Sequence, residues 1–298
     1  MLLGEYYKMN EYIKLIRIKH WIKNFFIFAP LIFAKAFFDK NSIIISFAAF
    51  ASFSLVASFV YIINDIHDKD SDKIHPKKCK RPIASGAISS KIAMIYSLFI
   101  LAIGIGIGSI ITQNAFLVII TYLLLNIGYS FKLKDILFLD IIIIAIGFVL
   151  RVIVGALAIG VELSNWILVT TFFISMFLGF CKRRYELLIL IENPENFRPV
   201  LKKYPQNILD QMIGISTTLT IISYSLYAIS EETITKLETN KLIYTIPFVV
   251  YGVSRYIYLT YQKEKGGDPA DVIIKDYPII INFLLWLGLV LILLLGKW

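Results

Sequence analysis

An all-helical, polytopic membrane bundle is the fold that this sequence predicts, and three observations predict it. Hydrophobic residues make up 58% of the 298 positions, against roughly 45–50% in a soluble domain. Mean hydropathy is +0.73. The apolar residues gather into long, nearly charge-free runs of about 17–25 residues, the length a helix needs to cross a bilayer. No soluble core of this size needs so many such runs, which excludes a water-soluble protein.

Nine runs can be read, near 21–38, 42–63, 91–111, 114–131, 136–159, 164–181, 208–229, 241–260 and 278–296. The first begins at Trp21 after a long basic stretch and is one of many. It therefore reads as a transmembrane helix and not as a cleavable signal. Cations orient the chain. Lys8, Lys14, Arg17 and Lys19 precede the first span. The second, fourth, sixth and eighth loops carry Lys77 to Arg81, then Lys132 and Lys134, Lys182 to Arg184 with Arg198, Lys202 and Lys203, and Lys263 with Lys265 and Lys275. The alternate loops are nearly bare of cations. This bias puts the N-terminus and the even loops in the cytoplasm and the C-terminus outside, in a cell (inner or plasma) membrane. The net charge of +9 follows from these loops and calls for no nucleic acid. Cys79 and Cys181 fall in or beside the same segments, which should be reducing, so no disulfide is expected. No soluble domain or linker is visible, so residues 1–298 read as a single transmembrane domain. A homo-oligomer is compatible with the sequence.

Chemistry concentrates where the second run ends. Asn64 to Gly86 holds Asp65, Asp68, Asp70 and Asp72, then Lys73, Lys77, Lys78, Lys80 and Arg81. Asp65, Asp68 and Asp72 are spaced three and four apart, one face of a helix. A magnesium ion would remove their repulsion, since it takes hard oxygen ligands and bridges carboxylates to substrate phosphates. A merely solvated charged loop would not need three acids on one face at a membrane edge. Beyond them, Arg81 offers a planar fork and Lys78 and Lys80 offer point charges for phosphate, although positive-inside topology alone accounts for some lysines.

The sixth loop opens with Lys182-Arg183-Arg184-Tyr185-Glu186. Arg183 and Glu186 share a helical face, as do Lys182 and Glu186. They form either an ion-paired helix end or a second phosphate clamp facing the first. Arg151 lies deep in the fifth span, where its insertion cost requires a polar cavity or a partner. Asp140 and Gly147 lie on nearly the same stripe, so a buried pair and a cavity-lining arginine are both open. Lys23, Tyr129, Lys132, Lys134 and Arg255 sit at cytoplasmic depth as candidate substrate ligands. Gly104, Gly106 and Gly108 imitate a nucleotide loop but lie inside an apolar span, where close helix packing explains them better. The three histidines lack zinc-ligand spacing.

Asn64 to Asp72 matches N-D-x-x-D-x-x-x-D and resembles the signature of the UbiA-type intramembrane prenyltransferases. That resemblance implies a helical bundle with a cavity open to the cytoplasmic side. It also implies Mg²⁺-assisted departure of diphosphate from a polyprenyl diphosphate and alkylation of an aromatic acceptor such as 4-hydroxybenzoate. The second aspartate-rich motif of typical members is replaced here by CKRRYE. With HWIKNFFIFAPLIFA, HPKKCKRPIASG, YSFKLKDILFLD, GFVLRVIVG and GGDPADVIIKD, this resembles the decaprenyl-phosphate phosphoribosyltransferase branch. The branch implies transfer of 5-phosphoribose from phosphoribosyl pyrophosphate to a polyprenyl phosphate. On that resemblance Asp65, Asp68 and Asp72 hold Mg²⁺. Asn64 orients a carboxylate or contacts the ribose, Lys78, Lys80 and Arg81 grip phosphate, and Lys182, Arg183 and Glu186 form a second grip. The aromatic prenyltransferase is the alternative within the fold. A transporter or channel is the alternative outside it, and would leave the motif acids without a purpose.

Overall fold

A computed structural model describes residues 10–74, 78–192, 199–262 and 269–296. The described residues form helices, turns and loops, with no strand among them. A helical turn over 10–15 leads into a 3-10 helix, Ile18–Phe28. There follow α1 (Ala29–Phe33), α2 (Lys40–His67), α3 (Lys69–Ile74), α4 (Ser90–Gly108), α5 (Gln113–Phe131) and α6 (Leu139–Ile159). The second half contains α7 (Asn165–Glu192), α8 (Gln206–Ile229), α9 (Glu231–Leu237), α10 (Ile246–Gln262), α11 (Pro269–Lys275) and α12 (Tyr277–Leu295). Residues 75–77, 193–198 and 263–268 lie outside the described set, and with them Lys77, Arg198, Lys263, Lys265 and Asp268.

Local chemistry sets several helix starts. Asp39 caps α2 by accepting from the Ser42 N–H at 2.8 Å. Ser89, Thr112 and Asp276 accept in the same way at α4, α5 and α12. Each side chain satisfies one of the backbone donors that a helix N-terminus leaves open.

Among the described residues, eight helices are long and apolar enough to cross a membrane, and they coincide with eight of the nine expected spans. The chain is thus a multi-pass membrane protein. Large apolar side chains such as Phe47, Phe99, Leu124 and Ile292 stand exposed on the bundle, as lipid contact requires.

The first expected span, 21–38, is not one α-helix. Its 11-residue 3-10 stretch extends about 2.0 Å per residue, and then Pro30, which has no N–H to donate, opens the short α1. The local reason is contact through backbone. A Cβ on Gly155 of α6 would lie 2.0 Å from the Ile27 carbonyl oxygen, so the segment lies directly on α6. Asn24 is buried and donates to Ser54 Oγ at 2.8 Å.

The packing forms a ring. α2 lies against α4, α5 and α6, α6 against α7, α7 against α8 and α10, and α10 against α12. The 3-10 helix touches α2 and α6, while Phe33 of α1 meets Trp286 of α12. The interrupted first segment therefore closes the ring. Two apolar cores flank α6. One joins Phe53, Val56, Ile119 and Val154, and the other joins Ile141, Phe177, Phe180, Leu209 and Tyr256.

Gly155→Ala should lower stability by about 1–3 kcal/mol through overpacking. Gly106→Ala, where nothing lies within 4 Å of the added Cβ, should be neutral or slightly stabilising through helix propensity. Thermal melting of both variants in the same detergent checks the contrast.

Candidate active site

A cavity of about 970 Å³ opens between the 3-10 helix, α2, α5, α6 and α7. Its apolar wall includes Val60, Ile144 and Leu178. Its charged lining is one-sided. Lys14, Arg17, Lys19, Lys23, Lys78, Lys80, Arg81, Arg151, Lys182 and Arg183 face a single carboxylate, Glu186, among the described residues. Asn64, Asn126, Tyr122 and Tyr129 also line it. Such a chamber focuses a positive potential and is suited to polyanions.

The acid motif stands directly behind this lining. Asp65 and Asp72 are 3% and 2% exposed. Arg81 Nη1 bonds both, at 2.9 Å to Asp65 Oδ1 and 2.5 Å to Asp72 Oδ2. Arg17 donates to the same Asp65 oxygen and lies over the Tyr61 ring. Lys78 Nζ lies 3.9 Å from Asp72. Burial lowers the Arg81 pKa from its ordinary value and the neighbouring Arg17 charge pulls the same way, while Asp65 and Asp72 oppose them. Arg81 is therefore a crowded positive charge that a further anion would stabilise.

Asp68 takes a separate position. Its carboxylate accepts from Lys134 Nζ at 2.5 Å and from Asn64 Nδ2 at 3.0 Å. Among the described residues no three acids, histidines or cysteines are grouped to hold a metal by themselves. The donor chemistry nonetheless suits magnesium, which is usually bound through one or two carboxylates plus waters and substrate phosphates. Asp65 and Asp72 already converge on one cationic nitrogen, and their oxygens are of the type such an ion takes.

The second motif comes from α7 and completes the chamber. Lys182 lines it. Arg183 is 3% exposed, with Nη1 donating to Glu186 Oε2 at 2.5 Å and Nε to Asp140 Oδ2 at 2.7 Å. The expected Arg183–Glu186 helical pair is present. Arg184 points elsewhere, donating to Asp210 at 2.6 Å.

Arg151 lines the cavity and has neutral partners in place of the Asp140 pairing the sequence left open. It donates to Asn24 Oδ1 at 2.7 Å, the Gly147 carbonyl at 2.6 Å and the Tyr122 hydroxyl at 3.2 Å. The rings of Phe53, Tyr122 and Phe148 lie about it. Asp140, in the first turn of α6 and about three turns from Arg151, faces Arg183 instead. Lys132 is exposed at the end of α5 and does not line the cavity. Neither does Arg255, whose fork is taken by Asp276 at 3.0 and 3.2 Å. Lys134 contributes through Asp68.

Arg17, Tyr61 and Asn126, which line the cavity, were not legible as site residues. Arg17 belongs to a basic run that reads as a topology signal. Its left-handed backbone, φ 53°, is what turns it toward Asp65, and no local motif announces that turn.

The family model of the UbiA prenyltransferase family matches residues 25–183. The decaprenyl-phosphate phosphoribosyltransferase of Corynebacterium glutamicum is 32% identical over 92% of this chain and 83% of its own length. The protein of the same description from Mycolicibacterium smegmatis is 30% identical over 93% and 90%. A UbiA homologue from Archaeoglobus fulgidus, solved bound to DMAPP and Mg²⁺, superposes with a TM-score of 0.71 over 95% of this chain and 99% of its own, at 18% identity. The fold, the motif at the end of α2 and the matched length agree: this chain belongs to the UbiA prenyltransferase family.

Proposed function

We propose that the protein transfers 5-phosphoribose from phosphoribosyl pyrophosphate to a polyprenyl phosphate, with Mg²⁺ as cofactor, at the cytoplasmic face of the membrane. The observation that carries this reading is the lining of one chamber by ten cations and one carboxylate. A prenyl diphosphate and an aromatic acid would bring one diphosphate and one carboxylate. The proposed substrates bring a pyrophosphate, a sugar 5-phosphate and a lipid phosphate, and three phosphate-bearing groups call for this excess of positive charge. The relatives named decaprenyl-phosphate phosphoribosyltransferase support the same choice.

In the proposed reaction an oxygen of the lipid phosphate attacks C1 of the ribose. The bond from C1 to the pyrophosphate oxygen breaks, and pyrophosphate leaves with the electron pair. The attacking phosphate is already ionised at neutral pH, so no strong general base is required. Asp65 and Asp72, with Asp68 one turn away, would hold Mg²⁺, which would supply charge neutralisation for the leaving group. Lys78, Lys80 and Arg81 grip the pyrophosphate from the α2–α4 connection. Arg183 and Lys182 grip the other phosphate group of the same pyrophosphate from α7, and Glu186 accepts from a ribose hydroxyl. Arg151, at the cavity wall within the bundle, is a ligand for the lipid phosphate, with Lys23 above it. Asn64 and Tyr129 contact the sugar between them. Catalysis then comes from orientation and preorganised charge.

Three outcomes are expected. Membranes containing the protein should incorporate label from phosphoribosyl pyrophosphate into lipid when supplied with polyprenyl phosphate and Mg²⁺. Labelled lipid product from polyprenyl diphosphate and 4-hydroxybenzoate alone would overturn the choice of donor. Asp72→Asn should lower turnover roughly 10–100-fold, in line with the loss of groups around a metal, and chelation with EDTA should act in the same direction; steady-state turnover at saturating Mg²⁺ measures both. Lys182→Gln should weaken donor binding by about 10-fold or more, the usual loss for one charge-assisted hydrogen bond, while leaving the melting temperature near wild type.

A further inference from the structure

Arg183 is not held by its own helix alone. Its Nε–H donates to Asp140 Oδ2 across to α6. Asp140 is completely buried, and its second oxygen, Oδ1, accepts from the Tyr204 hydroxyl at 2.7 Å. That hydroxyl also accepts from the Phe138 backbone N–H at 2.9 Å. With one lone pair occupied by Phe138, the phenol proton is directed at the carboxylate. The Phe138 and Tyr204 rings meet edge to face at 5.6 Å, which holds the phenol in place. Lys203 next to it donates to the Asp135 carbonyl at 3.1 Å. The described residues just before α8 are thereby fastened to the start of α6.

The backbone shows how fixed this arrangement is. Phe138 has φ +65° and ψ −36°, a positive-φ conformation that costs a bulky residue of order 1–3 kcal/mol and persists where its surroundings over-determine it. Burial pushes the Tyr204 pKa upward and the hydrogen bond and charge of Asp140 push it the same way, so the phenol stays a donor.

We infer that Asp140 and Tyr204 are positioning residues: they fix the plane of the Arg183 guanidinium so that its remaining N–H groups meet a phosphate in the cavity. A guanidinium binds phosphate through a planar fork whose value depends on orientation. Glu186 fixes one edge of Arg183 and Asp140 the other. Tyr204 fixes Asp140, which without it would keep one oxygen unsatisfied and could rotate. The inference rests on the proposed contact between Arg183 and a substrate phosphate, and concerns two residues that touch no substrate themselves.

The test is titration of inorganic pyrophosphate, with Mg²⁺ present, into the full chain in nanodiscs by calorimetry. Wild type, Tyr204→Phe, Arg183→Lys and the double variant form a cycle. Arg183→Lys keeps a counter-charge for Asp140 and Glu186 but loses the fork. Tyr204→Phe should weaken pyrophosphate binding about 3–10-fold, the usual worth of a single hydrogen bond. In the Arg183→Lys background the same change should shift affinity less than about twofold, because coupled residues are not additive. Asp140→Asn serves as a second entry to the cycle and should show the same non-additivity. Unchanged binding in Tyr204→Phe, or an equal loss in both backgrounds, would overturn the inference, since a general structural role is additive. Pyrophosphate is common to phosphoribosyl and prenyl donors. Failure of the cycle therefore speaks against the positioning role, whereas failure of ribose transfer in wild type speaks against the proposed donor.

Discussion

Repulsion among like charges is the constraint on which the rest of this structure depends. Two unit charges 4 Å apart cost about 4 kcal/mol at an effective dielectric of 20, and ten cations line one chamber in an apolar bundle. The chain meets this cost by setting a carboxylate behind many of the cations. Asp65 and Asp72 stand behind Arg17 and Arg81, Asp72 also lies near Lys78, and Asp140 with Glu186 holds Arg183. Arg151 is held differently, by an amide, a carbonyl, a phenol and three aromatic faces. Neutral partners leave its full charge available to a ligand.

This arrangement links the helix order to substrate choice. α2 ends in the acid motif and α7 begins its second motif four spans later, and the ring of helices brings both to one cavity. Replacing a second acid motif with Lys182 and Arg183 changes what the chamber can hold without changing its architecture. The Archaeoglobus fulgidus homologue shares the fold at 18% identity. Fold alone therefore does not set the donor; on the proposed reading, the charges on α7 and on the α2–α4 connection carry that information.

Much of this was legible in the sequence because hydropathy and helical spacing are local signals. Eight spans matched helices, seven of them within a few residues, while α7 continues to Glu192, well past the expected end at 181; the Arg183–Glu186 pair followed from a spacing of three. What escaped was non-local. The first segment is apolar enough to cross, but its close approach to Gly155 favours a 3-10 form, and nothing in residues 18–28 announces a glycine over a hundred positions away. Arg17 was visible as a charge but not as a partner of Asp65. Asp140 lay on a stripe with Arg151, yet the carboxylate turned to Arg183, because Tyr204 arrives from a distant loop to hold it there. Spacing within one helix cannot reveal which neighbouring helix supplies the partner.

The central claim is that this chamber holds a sugar pyrophosphate and a lipid phosphate at the same time. The most direct measurement is binding of phosphoribosyl pyrophosphate to the nanodisc-embedded protein, with Ca²⁺ in place of Mg²⁺ to slow turnover, across a series of fixed polyprenyl phosphate concentrations. Donor affinity that stays constant or rises as lipid phosphate saturates its site is the predicted result. Donor affinity that falls in proportion to lipid phosphate, as for two ligands competing for one anion site, would contradict the account.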